Sequence, residues 1–253
     1  MSRIVLARLA VLTGLIGAWE LWAARGNPLL YVPPSRVVPA LGRVLRLEAY
    51  PTLLSHLGVT AFEIVTAYVL AVALGLTLGF ALGLPRHVGE IYEPLLAALY
   101  AIPSVVWYPS LMLFFGLGSA SKIAFGVLLG FFPVVLAVLA GIRAVDPHIL
   151  TVARALGAGP RTCFVKVVLP AITATLVAGL RAGLALSVVG VLVGEILGAR
   201  RGLGYLINDA YGRFRTADYA ALALLALALV LIVDAAAAWT ESRARRWTEG
   251  AAG

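Results

Sequence analysis

The sequence predicts an all-α polytopic membrane bundle with about six transmembrane helices, on three observations. Of the 253 residues, 62% are hydrophobic, and the mean hydropathy is +0.98. Only 13% are charged, against about 25% in soluble domains, too few to wet the surface of a water-soluble fold. The apolar residues also gather into long segments, each able to cross a hydrocarbon layer of about 30 Å at about 1.5 Å per residue. The whole chain, 1–253, reads as a single transmembrane domain.

Six spans follow in order: Ile4 to Ala24, Leu57 to Leu84, Pro94 to Leu117, Ile123 to Ile142, Ala171 to Leu197 and Ala220 to Trp239. The first competes with a cleaved signal peptide. It is long for such a segment and lacks a clean A-x-A site, so it reads as a retained span. The second and fifth are long enough to tilt or to extend past the bilayer. Pro103 and Pro109 predict a kinked or broken third span, and Pro133 a bend in the fourth. From Pro33-Pro34 to Tyr50-Pro51, the residues Val37, Leu41, Val44 and Leu45 recur at helical spacing with Arg36, Arg43 and Arg46 between them. That pattern predicts an amphipathic helix along the membrane surface. Arg200 to Asp218 is expected as an exposed loop.

Glycines recur every fourth residue in several spans: Gly75, Gly79 and Gly83; Gly126 and Gly130; Gly179 and Gly183; Gly190, Gly194 and Gly198. In lipid no hydrophobic force drives helices together, so close backbone approach must do it. These ladders predict a packed bundle and do not by themselves predict transport.

The formal net charge of +8 fits arginines that flank spans and meet lipid headgroups. No run of aromatic and basic residues points to nucleic acid. Cys163 is the single cysteine, which excludes an internal disulfide, and His56, His87 and His148 lack metal-ligand spacing. No P-loop, H-E-x-x-H or G-x-S-x-G occurs. No catalytic residue, metal ligand or bound cofactor is therefore expected, and any energy for pumping must come from another polypeptide. Six spans place both termini on one side. Lys and Arg are nearly balanced across the two sides, and the basic tail Arg243 to Arg246 favours cytoplasmic termini.

Charges inside spans are costly unless paired or wetted. Glu20 and Asp234 read as structurally paired or snorkelling. Arg181 and Glu195 fall on one face of the fifth span, about 21 Å apart along it at about 1.5 Å per residue. With Glu63 they are the candidates for a pathway or gate.

The loop 146–169 is basic, polar and helix-forming. Asp146-Pro147 pairs an N-cap with a proline at the first helical position. Ile149, Val152, Ala153 and Leu156 form an apolar stripe, and Gly157 suits a helix end. Gly159-Pro160 restarts a second short helix, which Pro170 is expected to close. Arg154, Arg161 and Lys166 keep the unit out of the hydrocarbon.

The run Thr151-Val152-Ala153-Arg154-Ala155-Leu156-Gly157, followed after nine residues by Val167-Val-Leu169-Pro170, resembles the EAA loop of bacterial ABC importer permeases. The resemblance continues through Tyr31-Val-Pro-Pro-Ser35, His56, Ala101-Ile-Pro-Ser104, Phe114-Phe-Gly-Leu-Gly118, Lys122, Gly130-Phe-Phe-Pro133, Gly179-Leu-Arg181, and Glu195 with Gly202-Leu-Gly-Tyr-Leu206. Their order is similar to that in permeases for aliphatic sulfonates, taurine and nitrate.

The resemblance implies a type I importer permease of MetI-like fold, with residues 57–246 as its core and 146–169 as its ATPase-coupling loop. Thr151, Val152, Ala153, Arg154, Gly157, Arg161, Leu169 and Pro170 would form that contact. It also implies two ATPase subunits carrying ATP and Mg, a second permease copy or a related permease, an extracytoplasmic solute-binding protein, and a place in the bacterial cytoplasmic membrane. Two departures stand out. Thr151 replaces the acidic residue of the loop, and Thr60-Ala-Phe-Glu63 replaces a Ser-Leu-x-Arg pattern, reversing a charge. An ion- or proton-coupled secondary transporter is the alternative; it predicts inverted repeats and paired midplane carboxylates. A membrane enzyme lacks a nucleophile or metal cluster.

Overall fold

The structure is a computed structural model that describes residues 3–27 and 29–250, with side chains except at Arg3, Arg86 and 239–250. The side chains of the Arg243 to Arg246 tail thus lie outside the described residues. Among the described residues there are α-helices and no strands. They are α1 (Arg3–Arg25), α2 (Pro34–Leu45), α3 (Leu53–Gly83), α4 (Arg86–Ala101), α5 (Tyr108–Phe115), α6 (Ser119–Arg143), α7 (Pro147–Ala155), α8 (Pro160–Cys163), α9 (Leu169–Gly198), α10 (Leu203–Gly212) and α11 (Thr216–Gly250).

Five helical stretches are long and apolar enough to cross a membrane: Ile4–Arg25, Leu53–Gly83, Ser119–Arg143, Pro160–Gly198 and Thr216–Ala238. The pair His87–Ala101 and Ser104–Phe115 passes the same length and hydropathy test together but is bent by 79°, and it makes a sixth crossing if the two halves form one span. The break falls at Ile102-Pro103, where Ile102 is extended (ψ 129°) and Pro103 leaves the helical region (ψ 104°). Proline restricts the residue before it to extended backbone. Pro109 falls in the first turn of α5, where its missing N–H costs nothing. This third span begins about two turns before Pro94, because α4 runs through that proline.

The chain divides into two compact units. One comprises Met1–Thr60 and Glu195–Leu229, the other Ala61–Gly194 and Val230–Gly253.

In the first unit, Glu20 of α1 accepts hydrogen bonds from the Ser35 N–H (3.0 Å) and hydroxyl (2.7 Å), so it caps the start of α2. The buried stripe of α2 is Val37, Ala40 and Val44, while Leu45 is exposed. The helix period is as expected, but Ala40 takes the place of Leu41 in the buried stripe and Leu45 lies outside it. Residues 203–212, expected within an exposed loop, form α10. Leu203, Leu206, Ile207 and Ala210 are buried at i, i+3, i+4 and i+7. The glycines and charges around this helix mask its short apolar face in the sequence.

In the second unit α6 is packed by two neighbours through small residues. A Cβ on Gly75 or Gly79 of α3 would lie 2.8 or 2.7 Å from the Cβ of Val134 or Val138, and one on Gly83 would meet Ile142. On its other side α6 meets α9. A Cβ on Gly190 would lie 2.9 Å from the Cα of Gly126, and one on Gly183 would lie 2.9 Å from the carbonyl of Gly130. Gly179 lies against Pro133 and Ala137, and Gly194 against Tyr108 and Lys122. Backbones at this distance gain dispersion that larger side chains would prevent. Helix α6 runs unbroken through Pro133.

Candidate functional site

The elbow between α6 and α9 is built from its own sequence. Asp146 Oδ1 accepts the His148 N–H at 2.8 Å, and Pro147 supplies the first residue of α7 without a wasted donor. Gly157 ends α7 at φ +85°. Its N–H donates to the Arg154 carbonyl (2.9 Å), and the Ala158 N–H to the Ala153 carbonyl (3.0 Å). This paired closure needs a left-handed residue, which explains the glycine. Gly159 and Pro160 start α8.

Pro170 does not close that helix, contrary to expectation. Residues 164–168 form a π-helical turn that leads directly into α9, and the Leu169 N–H bonds to the Phe164 carbonyl five residues back. A wider turn keeps the pyrrolidine ring off the carbonyl it would otherwise strike, so the proline is absorbed rather than obeyed.

The apolar stripe of α7 is largely uncovered. Ile149, Val152 and Leu156 are 54%, 59% and 83% exposed; Ala153 is half-buried. The opposite side faces a cleft of about 550 Å³ lined by Leu150, Arg154, Ala158, Cys163, Phe164 and Val168. Below it Val145, Val168 and Ile172 form a buried cluster backed by Leu150, Phe164 and Phe80. The elbow is thus anchored on one side and free on the other. The Thr151 hydroxyl donates to the Pro147 carbonyl at 3.0 Å, so it is spent inside α7. Arg161 and Pro170 are exposed, and Leu169 is half-buried.

The charges predicted inside the spans fall into different settings. Arg181 forms a two-pronged pair with Asp234, Nε to Oδ1 at 2.9 Å and Nη2 to Oδ2 at 2.8 Å, with both side chains a little over 40% exposed. Glu195 is fully buried. Its Oε1 accepts the Thr60 hydroxyl at 2.7 Å and its Oε2 the Gly204 N–H at 2.7 Å. Glu63 is buried in α3. Arg181 is thus exposed, whereas Glu195 is buried.

Sequence reasoning missed Asp234 as the partner of Arg181, and missed His56, Thr60 and Gly202 as partners in the Glu195 cluster. His56 and Thr60 lie one helical turn apart, which was the available signal. Among the described residues no cluster of three or more His, Cys, Asp or Glu could hold a metal ion.

The sequence pattern of the family described as "Binding-protein-dependent transport system inner membrane component" matches residues 71–246. The chain belongs to that family. The permease is 29% identical to the taurine transport system permease protein TauC of Escherichia coli, over 91% of this chain and 85% of the relative. It is 33% identical to a probable ABC transporter permease protein of Haemophilus influenzae, over 88% and 89%. Its backbone is similar to a chain of the MetNI methionine ABC transporter in an inward-facing conformation. The TM-score is 0.59 at 21% identity, over 77% of the permease and 98% of that chain. The permease is thus a multi-pass membrane subunit of the ABC importer class, with the MetI-type fold.

Proposed function

We propose that the permease carries a small solute of the sulfonate, taurine or nitrate kind from an extracytoplasmic binding protein into the cytoplasm, driven by ATP hydrolysis on two partner subunits. One observation supports the coupling above all: an apolar stripe lies bare on α7, and after a turn at 156–159 the second half of the elbow continues as one helical stretch, Pro160–Gly198, into the bundle. Ile149, Val152 and Leu156 supply the contact, and Thr151, Ala153, Arg154, Gly157, Arg161, Leu169 and Pro170 shape or border it. Force applied to α7 reaches α9 through the anchored cluster below. ATP with Mg on the partners closes the two ATPases and draws paired elbows together, which shifts the bundle between two packings.

Two permeases, identical or related, complete the pathway, with residues 57–246 as the core of each and the termini in the cytoplasm. The half-exposed Arg181–Asp234 pair supports a face that meets water or protein, since hydrocarbon disfavours such a pair. TauC, by its name, serves taurine transport, which supports cargo of that chemistry. Gly75, Gly79, Gly83, Gly126, Gly130, Gly179, Gly183, Gly190 and Gly194 serve helix packing in this reading.

The test is photo-crosslinking from Val152 and Leu156 in native membranes. A nucleotide-hydrolysing subunit is the expected capture, lost in Leu156→Asp while membrane insertion stays normal. Failure to capture such a subunit, or undiminished capture by Leu156→Asp, overturns the assignment.

A further inference from the structure

Helix α10 is only ten residues long and carries no capping side chain of its own. The residue before it is Gly202, and the first N–H groups of any helix lack partners within it. Here three successive ones are met from outside. The Gly202 N–H donates to His56 Nδ1 at 3.0 Å, the Leu203 N–H to Thr60 Oγ1 at 2.8 Å, and the Gly204 N–H to Glu195 Oε2 at 2.7 Å. The Thr60 hydroxyl in turn donates to Glu195 Oε1. Thr60, Glu195 and Leu203 are all fully buried. Gly202 stands at φ +109°, and a Cβ there would run into the Glu195 carboxylate. The His56 ring stacks on Tyr205, centroids 5.8 Å apart and 13° from parallel. Two residues of α3, one turn apart, and one near the end of α9 thus hold a single helix start.

We propose that His56, Thr60 and Glu195 are positioning residues that latch α10 onto α3 and α9, and that His56 is the member a proton releases. An imidazole nitrogen accepts a hydrogen bond only while it carries no proton, and both nitrogens are donors in the charged ring. Protonated His56 sets a donor against the Gly202 N–H, and that corner of the latch opens. Thr60 does not titrate; Glu195 accepts through both oxygens, so its protonation would loosen the Gly204 corner, a response that His56→Asn would share with the native chain. The charged groups that face His56 are Arg201, beside Gly202, and Glu195, through Thr60; Tyr205 covers the ring. The inference deepens the importer reading by placing a proton-sensitive element beside the fifth span.

The test uses the full permease in lipid nanodiscs and follows amide hydrogen exchange of the segment Gly202 to Gly204, corrected for the intrinsic effect of pH. In the native chain protection should fall about tenfold from about pH 7.5 to about pH 4.5, a window that runs through and below the ordinary histidine range. His56→Asn keeps an acceptor close to the Nδ1 position but cannot take the proton. Its protection should stay high at both pH values, whereas His56→Ala should be low at both. Equal pH response in the native chain and His56→Asn, or none in the native chain, overturns the latch. ATP-driven uptake by the reconstituted assembly is measured in parallel. A native chain that shows the exchange response but no uptake leaves the latch standing and counts against the importer reading.

Discussion

Two short helices connect spans in the permease, and they are held in opposite ways. Helix α7 is capped by its own neighbours, Asp146 at one end and Gly157 at the other, and its residues Ile149, Val152 and Leu156 stay bare. Helix α10 is capped by residues remote in sequence, His56 and Gly202 being 146 positions apart, and its apolar face is buried. A helix closed by local signals needs nothing further to form and keeps a surface for another molecule. A helix closed from a distance is part of the fold around it, and it can loosen only when the distant groups let go. The first arrangement suits a handle, the second a fixed or latched part.

The comparison breaks first at Gly202. If α10 depends on its remote caps, Gly202→Ala is the most damaging single methyl in either helix. The backbone there, φ 109° and ψ 168°, is a region almost reserved for glycine, and leaving it strained costs about 1–3 kcal/mol. The new Cβ also meets the Glu195 carboxylate, so the Gly204 and Thr60 bonds must shift with it. The thermal unfolding midpoint of the detergent-solubilised permease should fall by several degrees. An unchanged midpoint would mean that α10 is held by its buried face alone.

The difference between the helices also explains what the sequence could reveal. The spans were legible because apolar length is a local property, and the break at Pro103 because proline acts on its immediate neighbours. The elbow was legible through Asp146-Pro147 and Gly157, whose capping chemistry acts within a few residues. Pro170 was misread because its effect depends on the turn before it, and a π-helical turn has no sequence mark as plain as proline itself. Helix α10 was misread as a loop because its caps come from α3 and α9. The Arg181–Asp234 pair, 53 positions apart, was hidden for the same reason. Charges in spans announce that a partner is needed but not which one answers.

A smaller effect is expected at the other helix. Gly157 has positive φ too, but a Cβ there meets nothing within 4 Å. Gly157→Ala should therefore cost only the left-handed backbone penalty, about 1–2 kcal/mol. Part of that is relieved because the elbow is exposed and can relax. The midpoint should fall less than for Gly202→Ala, and crosslinking from Val152 should weaken as α7 tilts. A larger fall than at Gly202 would reverse the comparison and make the elbow the more constrained of the two.

The smallest change is expected at Thr151. Its hydroxyl is committed to the Pro147 carbonyl at 3.0 Å and the residue is exposed. Thr151→Val keeps the branched shape and has nearly the same helix preference. A surface substitution of this kind should change stability by less than about 0.5 kcal/mol. If the elbow docks through its apolar stripe, ATP-driven uptake should also stay within about twofold, an RT-scale change. A deep loss of uptake at unchanged stability would show that the partner reads the hydroxyl itself. The handle would then be a polar contact framed by apolar residues rather than an apolar one framed by charge.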